Sequence, residues 1–204
     1  MRVVLASASP RRRELLSAAG FDFDVDPVSV DETRGAGEAP AAYVERLARS
    51  KAQAAARHDG DRAVIGADTV VVVDDEVLGK PRDAEDAARM LRRLAGRAHD
   101  VLTGVAVVWR GRILSHVERT SVWFARLSES DIAWYVASGE PLDKAGAYAI
   151  QALASRFVRR IDGSYSNVVG LPVTAVIELL QKAGVPGEPA GWGRVDSTPN
   201  GVVF

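Results

Sequence analysis

Two long strand-like runs, Val101 to Trp109 and Ile113 to Phe124, meet at Arg110-Gly111-Arg112. Their β-branched composition and glycine-centred break predict an antiparallel hairpin. A hairpin of that length argues against an all-parallel Rossmann sheet, and no G-x-G-x-x-G follows any strand. The most strand-like run is Ala63 to Val73, closed by an Asp74-Asp75 turn with a return through Val77-Leu78. Shorter strands are predicted over Val3 to Ala6, Phe21 to Val25 and Phe157 to Ile161.

Apolar residues recur at helical spacing between these strands. Ala41 to Arg57 reads as a helix with Pro40 at its start and Tyr43, Val44, Leu47 and Ala48 on its buried stripe. Asp83 is placed to cap a helix running to Ala95, and Ser128-x-x-Asp131 forms a capping box for one ending near Gly139. Pro172 to Ala183 is the last helix, stopped by Gly184. Pro141 to Gln151 reads as a loop-to-strand stretch whose polar members could line a pocket, and Asp162 to Asn167 as a turn. A chain of 204 residues forms one domain or two small lobes.

The opening stretch is unusual in its charge. Ser9-Pro10 predicts a helix start, yet Arg11, Arg12 and Arg13 fill the first turn. Cations are disfavoured there by roughly 0.3–1 kcal/mol each, because the N-terminal amides are already positive. Leu15, Leu16 and Ala19 define the apolar stripe, which puts Arg11 and Arg12 on the inward side and Arg13 toward solvent. Two readings fit: a phosphate-binding helix terminus, or a solvated basic turn softened by Glu14.

Four other positions admit a polar-site reading beside a structural one. Glu32, in Val30-Asp31-Glu32-Thr33 before a Gly-containing loop, is either part of a solvated turn or a metal or water ligand. Lys51 shares the apolar face of its helix with Val44 and Leu47, so it either snorkels past the core or points into a polar cleft. Asp68 interrupts the β-branched run and needs a hydrogen-bonding, cationic or metal partner, while Gly66-Ala67 before it permits another element to approach closely. Lys80 sits in the basic turn Gly79-Lys80-Pro81-Arg82, but no P-loop motif occurs.

Composition removes other classes. There are no cysteines, and three histidines, His58, His99 and His116, lack ligand spacing, which argues against zinc sites and Ser-His-Asp triads. Lys and Arg total 26 against 27 Asp and Glu, so no global field draws the chain to nucleic acid or to a membrane surface. No run is long enough to span a bilayer or to read as a signal peptide, and the expected location is cytoplasmic. Trp109, Trp123 and Trp134 read as core or interface aromatics.

Taken in order, Leu5-Ala6-Ser7-x-Ser9-Pro10-Arg11-Arg12, Gly66-Ala67-Asp68-Thr69, Gly79-Lys80-Pro81, Gly139-Glu140-Pro141-Leu142-Asp143-Lys144-Ala145-Gly146 with Tyr148, and Gly163-Ser164-Tyr165 followed by Val169-Gly170-Leu171-Pro172 resemble the Maf family. These are nucleoside triphosphate pyrophosphatases, also known as septum formation inhibitors. The resemblance runs from about residue 2 to 184, giving one domain over 1–184, and leaves 185–204 as a Gly/Pro-punctuated tail expected to be mobile. It implies an α/β fold with a mixed, largely antiparallel central sheet flanked by helices. It also implies two lobes around a cleft, similar to the inosine triphosphate pyrophosphatase group, with a homodimer as the family-level expectation.

The resemblance further implies hydrolysis of a nucleoside triphosphate between the α- and β-phosphates, dependent on Mg²⁺ or Mn²⁺. Asp68 matches the family's catalytic acid, and Ser7, Arg11, Arg12, Glu32, Lys51 and Lys80 match its other polar cleft positions. Arg11, Thr69 and Gln151 match the subgroup acting on thymidine and uridine triphosphates rather than 7-methylguanosine triphosphate. Ala8, Ala149, Ala152 and Ala154 stand where glycine is usual, and their methyls could narrow the base pocket. Modified pyrimidine nucleotides are a further substrate class to consider.

The expected chemistry has Arg11, Arg12, Lys51 and Lys80 neutralising the triphosphate, with Glu32 and Asp68 at the metal and Asp68 orienting or deprotonating the attacking water. Gln151 can offer a donor and an acceptor to the N3–H and O4 of uracil or thymine. The competing expectation is a non-catalytic nucleotide-binding regulator of cell division.

Overall fold

The computed structural model describes residues 2–58 and 61–186. Its hairpin is the one the sequence predicts: β5 (Ala98–Trp109) and β6 (Arg112–Phe124) pair antiparallel along their whole length around Arg110 and Gly111, both at positive φ. β3 (Val64–Val73) lies against β5 in antiparallel register, with Asp68 opposite Gly104. The short β1 (Val3–Leu5) joins β3 in parallel, and β2 (Phe23–Val25) joins β1 in parallel. β7 (Val158–Asp162) completes the other edge, so the path is β2-β1-β3-β5-β6-β7, with β4 (Glu76–Leu78) folding back onto the end of β3. Two parallel and four antiparallel pairings make this the mixed, mainly antiparallel sheet that was expected.

One face of the sheet carries α2 (Pro40–Ala56), whose buried Val44, Leu47, Ala48, Ala52 and Ala55 form an almost smooth small-residue surface. Close approach depends on Gly66 and Gly104: a Cβ on Gly66 would lie 2.3 Å from the Ala48 carbonyl oxygen, and one on Gly104 would lie 2.2 Å from that of Val44. The opposite face holds two clusters. α1 (Pro10–Ala18) and α6 (Val173–Ala183) contribute Leu16, Val176 and Leu180 against Leu5, Ile65, Val105 and Trp109. α3 (Ala84–Leu94) and α4 (Glu129–Ala137) contribute Leu91, Leu94, Ile132 and Tyr135 against Val71, Val73, Val101 and Phe124. Both clusters rest on the one sheet.

Local signals hold where they satisfy a helix end. Asp83 accepts the Asp86 amide at 2.8 Å, and Ser128 and Asp131 form the reciprocal capping box. Ser9 does not cap α1 with its side chain; the neighbouring Ser7 hydroxyl instead accepts the Ser9 amide at 3.3 Å. Two expectations change. Pro141 to Gln151 contains no strand but 3-10 turns at Glu140–Asp143 and Ala145–Ala147, because positive φ at Gly139, Gly146 and Ala147 keeps the chain from extending. The predicted turn after Asp162 becomes α5 (Tyr165–Val169), with Ser164 accepting the Asn167 amide at 3.3 Å. Of the tryptophans, Trp109 is in the core while Trp134 is exposed beneath the Arg156 guanidinium. The tail expected to be mobile lies outside the described residues from 187 onward.

Candidate active site

The cleft forms where β3 loses a neighbour. Carbonyls of Ala63 and Ile65 accept the amides of Val4 and Ala6, after which β1 ends and the chain turns into α1. β4 does not take up the same edge until Val71. In the interval between, Asp68 and Thr69 line a cavity of about 380 Å³, within the range that accommodates small ligands.

Asp68 and Lys51 meet at this edge. Lys51 extends from α2 and donates through Nζ to Asp68 Oδ1 at 2.7 Å, with both side chains largely buried. Glu32 Oε1 reaches the same ammonium at 2.6 Å from the exposed loop before α2. Of the two readings open for Lys51, the polar cleft is therefore the one realised, and the partner that Asp68 required is an ammonium. Tyr43 steadies the loop, its hydroxyl donating to the Glu32 carbonyl at 2.8 Å.

Arg11 and Arg12 differ in environment although both turn inward. Arg11 lines the cavity with Nη1 3.6 Å from Asp143 Oδ2. Arg12 is buried: Nε donates to the Gly170 carbonyl at 2.8 Å, Nη1 to the Ala67 carbonyl at 2.8 Å and the Ser7 hydroxyl at 3.1 Å, and Nη2 to the Thr69 hydroxyl at 3.1 Å. Burial pushes the guanidinium pKa down and the Asp68 charge opposes that shift, while arginine remains protonated throughout the physiological range. Arg13 is exposed.

Lys80 enters from the opposite wall on the turn after β4. That turn is held by Asp86, which accepts the Arg82 amide at 3.2 Å and Arg89 Nε at 2.9 Å; these bonds hold its carboxyl down to about 2. The Gly79 carbonyl accepts the Gly146 amide at 3.0 Å, and Gly146 packs so tightly on Val71 that a Cβ would come within 2.6 Å of it. This contact ties the Lys80 turn to the segment carrying Tyr148, Ala149 and Gln151, which forms the far side of the cavity.

Ser7, Arg11, Arg12, Glu32, Lys51, Asp68, Thr69, Lys80 and Gln151 thus all line one cleft. Asp143, Lys144 and Tyr148 join them, as expected of the polar members of Pro141 to Gln151, although no role was assigned to these three individually. Their signal was the motif between Gly139 and Tyr148. With them counted, Arg11, Arg12, Lys51, Lys80 and Lys144 face Glu32, Asp68 and Asp143, a local cationic excess on a chain of net charge −1. Of the four alanines in glycine positions, Ala8 and Ala149 line the cavity, while Ala154 belongs to the core around α3 and α4.

The family model for Maf-like proteins matches residues 2–183. The chain belongs to the Maf family. Its relatives include proteins named dTTP/UTP pyrophosphatase from Vibrio cholerae serotype O1, 56% identical over 182 residues and covering 89% of this chain and 97% of that one. Another, from an Anaeromyxobacter species, is 54% identical over 203 residues, with 94% and 97% covered. A third, from Myxococcus xanthus, is 55% identical over 185 residues, with 90% and 93% covered. The Staphylococcus aureus Ham1 protein shares the Maf chain's fold with a TM-score of 0.53 at 16% identity, over 90% of this chain and 100% of that one. Among the described residues, no helix is long and apolar enough to cross a membrane.

Proposed function

We propose that the protein hydrolyses dTTP and UTP to the nucleoside monophosphate and pyrophosphate. The observation that carries this reading is the pairing of Asp68 and Glu32 on one ammonium at the open edge of β3, inside a cationic cleft. The names of relatives at 54–56% identity supply the substrates.

The chemistry follows from charge. Cleavage at the α-phosphorus forms a bond from water oxygen to phosphorus and breaks the bridging bond to the β-phosphate, so negative charge grows on departing pyrophosphate. Arg11, Lys80 and Lys51 place positive charge around that path from three different elements, and fixed charges in a sheltered cleft stabilise such a transition state effectively. Asp68, held by Lys51, accepts the proton of the attacking water.

A divalent cation fits the donor set. Glu32 and Asp68 already converge on a single cationic point, and carboxylates are the ligands that Mg²⁺ and Mn²⁺ prefer. Among the described residues, no group of three or more His, Asp or Glu side chains could hold the ion alone, so phosphate oxygens would share its coordination with Glu32 and Asp68. Such an ion supplies Lewis acidity toward phosphate and makes bound water more acidic.

Gln151 lines the cavity on the 149–151 segment, where its amide can pair with the N3–H and O4 of a pyrimidine. The test is to incubate the protein with each common nucleoside triphosphate plus Mg²⁺ or Mn²⁺ and identify the products. Monophosphate and pyrophosphate from dTTP and UTP are expected. Nucleotide affinity without pyrophosphate release would favour the non-catalytic regulator.

A further inference from the structure

Arg12 occupies a position that a strand would otherwise fill. The Ala67 carbonyl is next in the row of Ala63 and Ile65, but β1 has ended and, among the described residues, no strand amide reaches it; Arg12 Nη1 donates to it instead. With the bonds to Ser7, Thr69 and Gly170, four of the five guanidinium N–H donors are occupied by the protein. Bidentate phosphate binding needs two parallel donors, and among the described residues' bonds only one Arg12 N–H, on Nη2, is left over. Two of the bonds flank Asp68 in the chain, one to the residue before it and one to the residue after it. Thr69 is itself braced from below, its hydroxyl 2.9 Å from that of Thr103.

We infer that Arg12 is a positioning residue: it grips β3 on both sides of Asp68 and ties that strand to Gly170, so that Asp68 is presented to Lys51 and to the attacking water. This rests on Asp68 being the reacting carboxylate, as proposed above. Arg12 replaces a missing strand at an open sheet edge, while phosphate is bound by Arg11, Lys51 and Lys80.

The test compares wild type with Arg12→Lys, which keeps the charge but cannot span Ala67, Thr69 and Gly170 from one nitrogen. With dTTP, kcat is expected to fall about 30-fold or more, consistent with the ~10²-fold cost of ångström-scale misplacement. Inhibition by inorganic pyrophosphate with the same divalent cation should stay within about threefold of wild type, because uniform phosphate binding is untouched. An unchanged kcat overturns the inference. So does a rise of about tenfold in the pyrophosphate inhibition constant, with or without loss of kcat, because that marks a direct phosphate ligand.

If Arg12→Lys does not fold, the wild-type protein decides through side-chain NMR of ¹⁵N-arginine. The Arg12 Nε–H signal should resist solvent exchange and stay in place when pyrophosphate is added. Rapid exchange, or a shift as large as that of Arg11, contradicts the inference. Wild type that releases no pyrophosphate from dTTP would defeat the pyrophosphatase reading instead, and leaves the NMR result to be judged separately.

Discussion

At the scale of single residues, Lys51 makes one site of two carboxylates that lie far apart in sequence. Its Nζ sits 2.7 Å from Asp68 and 2.6 Å from Glu32, so removing it leaves a largely buried aspartate without its partner, a costly state. Asp68→Asn preserves shape but removes the proton acceptor. Pyrophosphate release from dTTP should fall by about 10²-fold or more, with the circular dichroism spectrum unchanged; near-normal turnover in a folded variant would remove Asp68 from the mechanism. His99 makes a different prediction. Burial among Phe124 and Tyr148 holds its imidazole down to about 4, against 6.5 in the unfolded chain. The unfolded chain therefore takes up a proton that the folded chain refuses, and stability present above pH 6.5 is lost as pH falls from 6.5 toward 4. The shift amounts to about 3 kcal/mol across that window. Urea titrations at pH 7.5 and 4.5 should show a larger loss for wild type than for His99→Gln; equal losses would show that His99 does not carry the effect.

Among the elements, the α2–β3 contact is the most demanding. Gly66→Ala would set a methyl 2.3 Å from the Ala48 carbonyl oxygen and 2.6 Å from the Ala52 amide nitrogen, both backbone atoms of α2. The helix must move off the sheet, at a cost of about 1–3 kcal/mol or more, and it carries Lys51 with it. A lowered urea midpoint together with reduced turnover is expected, and a wild-type midpoint would contradict the packing described. The sequence showed Gly66-Ala67 as a place for close approach because a glycine in a β-branched run has few other uses. It showed the β5–β6 hairpin for a similar reason, since both signals are local. The 3-10 turns after Gly139 were not legible as such, because they depend on positive φ at Ala147 as well as at Gly139 and Gly146, and alanine gives no sign of it. Arg12 illustrates the same limit. Helical periodicity turned it inward, but Ala67 and Gly170 lie 55 and 158 residues away, and only the fold brings their carbonyls to it.

For the molecule as a whole, one sheet supports two apolar clusters, and the cleft lies where its third strand is left open between them. Cations arrive from α1, α2 and the turn after β4, and the segment following α4 closes the far side with Gln151. On the proposed function, phosphate binding and base selection fall to different walls of this cleft. Gln151→Ala should therefore narrow the preference for dTTP over dATP by roughly 10²-fold in kcat/KM, mainly through slower dTTP turnover; an unaltered ratio would place base reading elsewhere. In the proposed mechanism, water held by Asp68 attacks the α-phosphorus. Hydrolysis of dTTP in water enriched in oxygen-18, with mass analysis of both products, tests this most directly. One labelled oxygen in dTMP and unlabelled pyrophosphate are expected. Label in pyrophosphate, or release of dTDP with labelled orthophosphate, would contradict it.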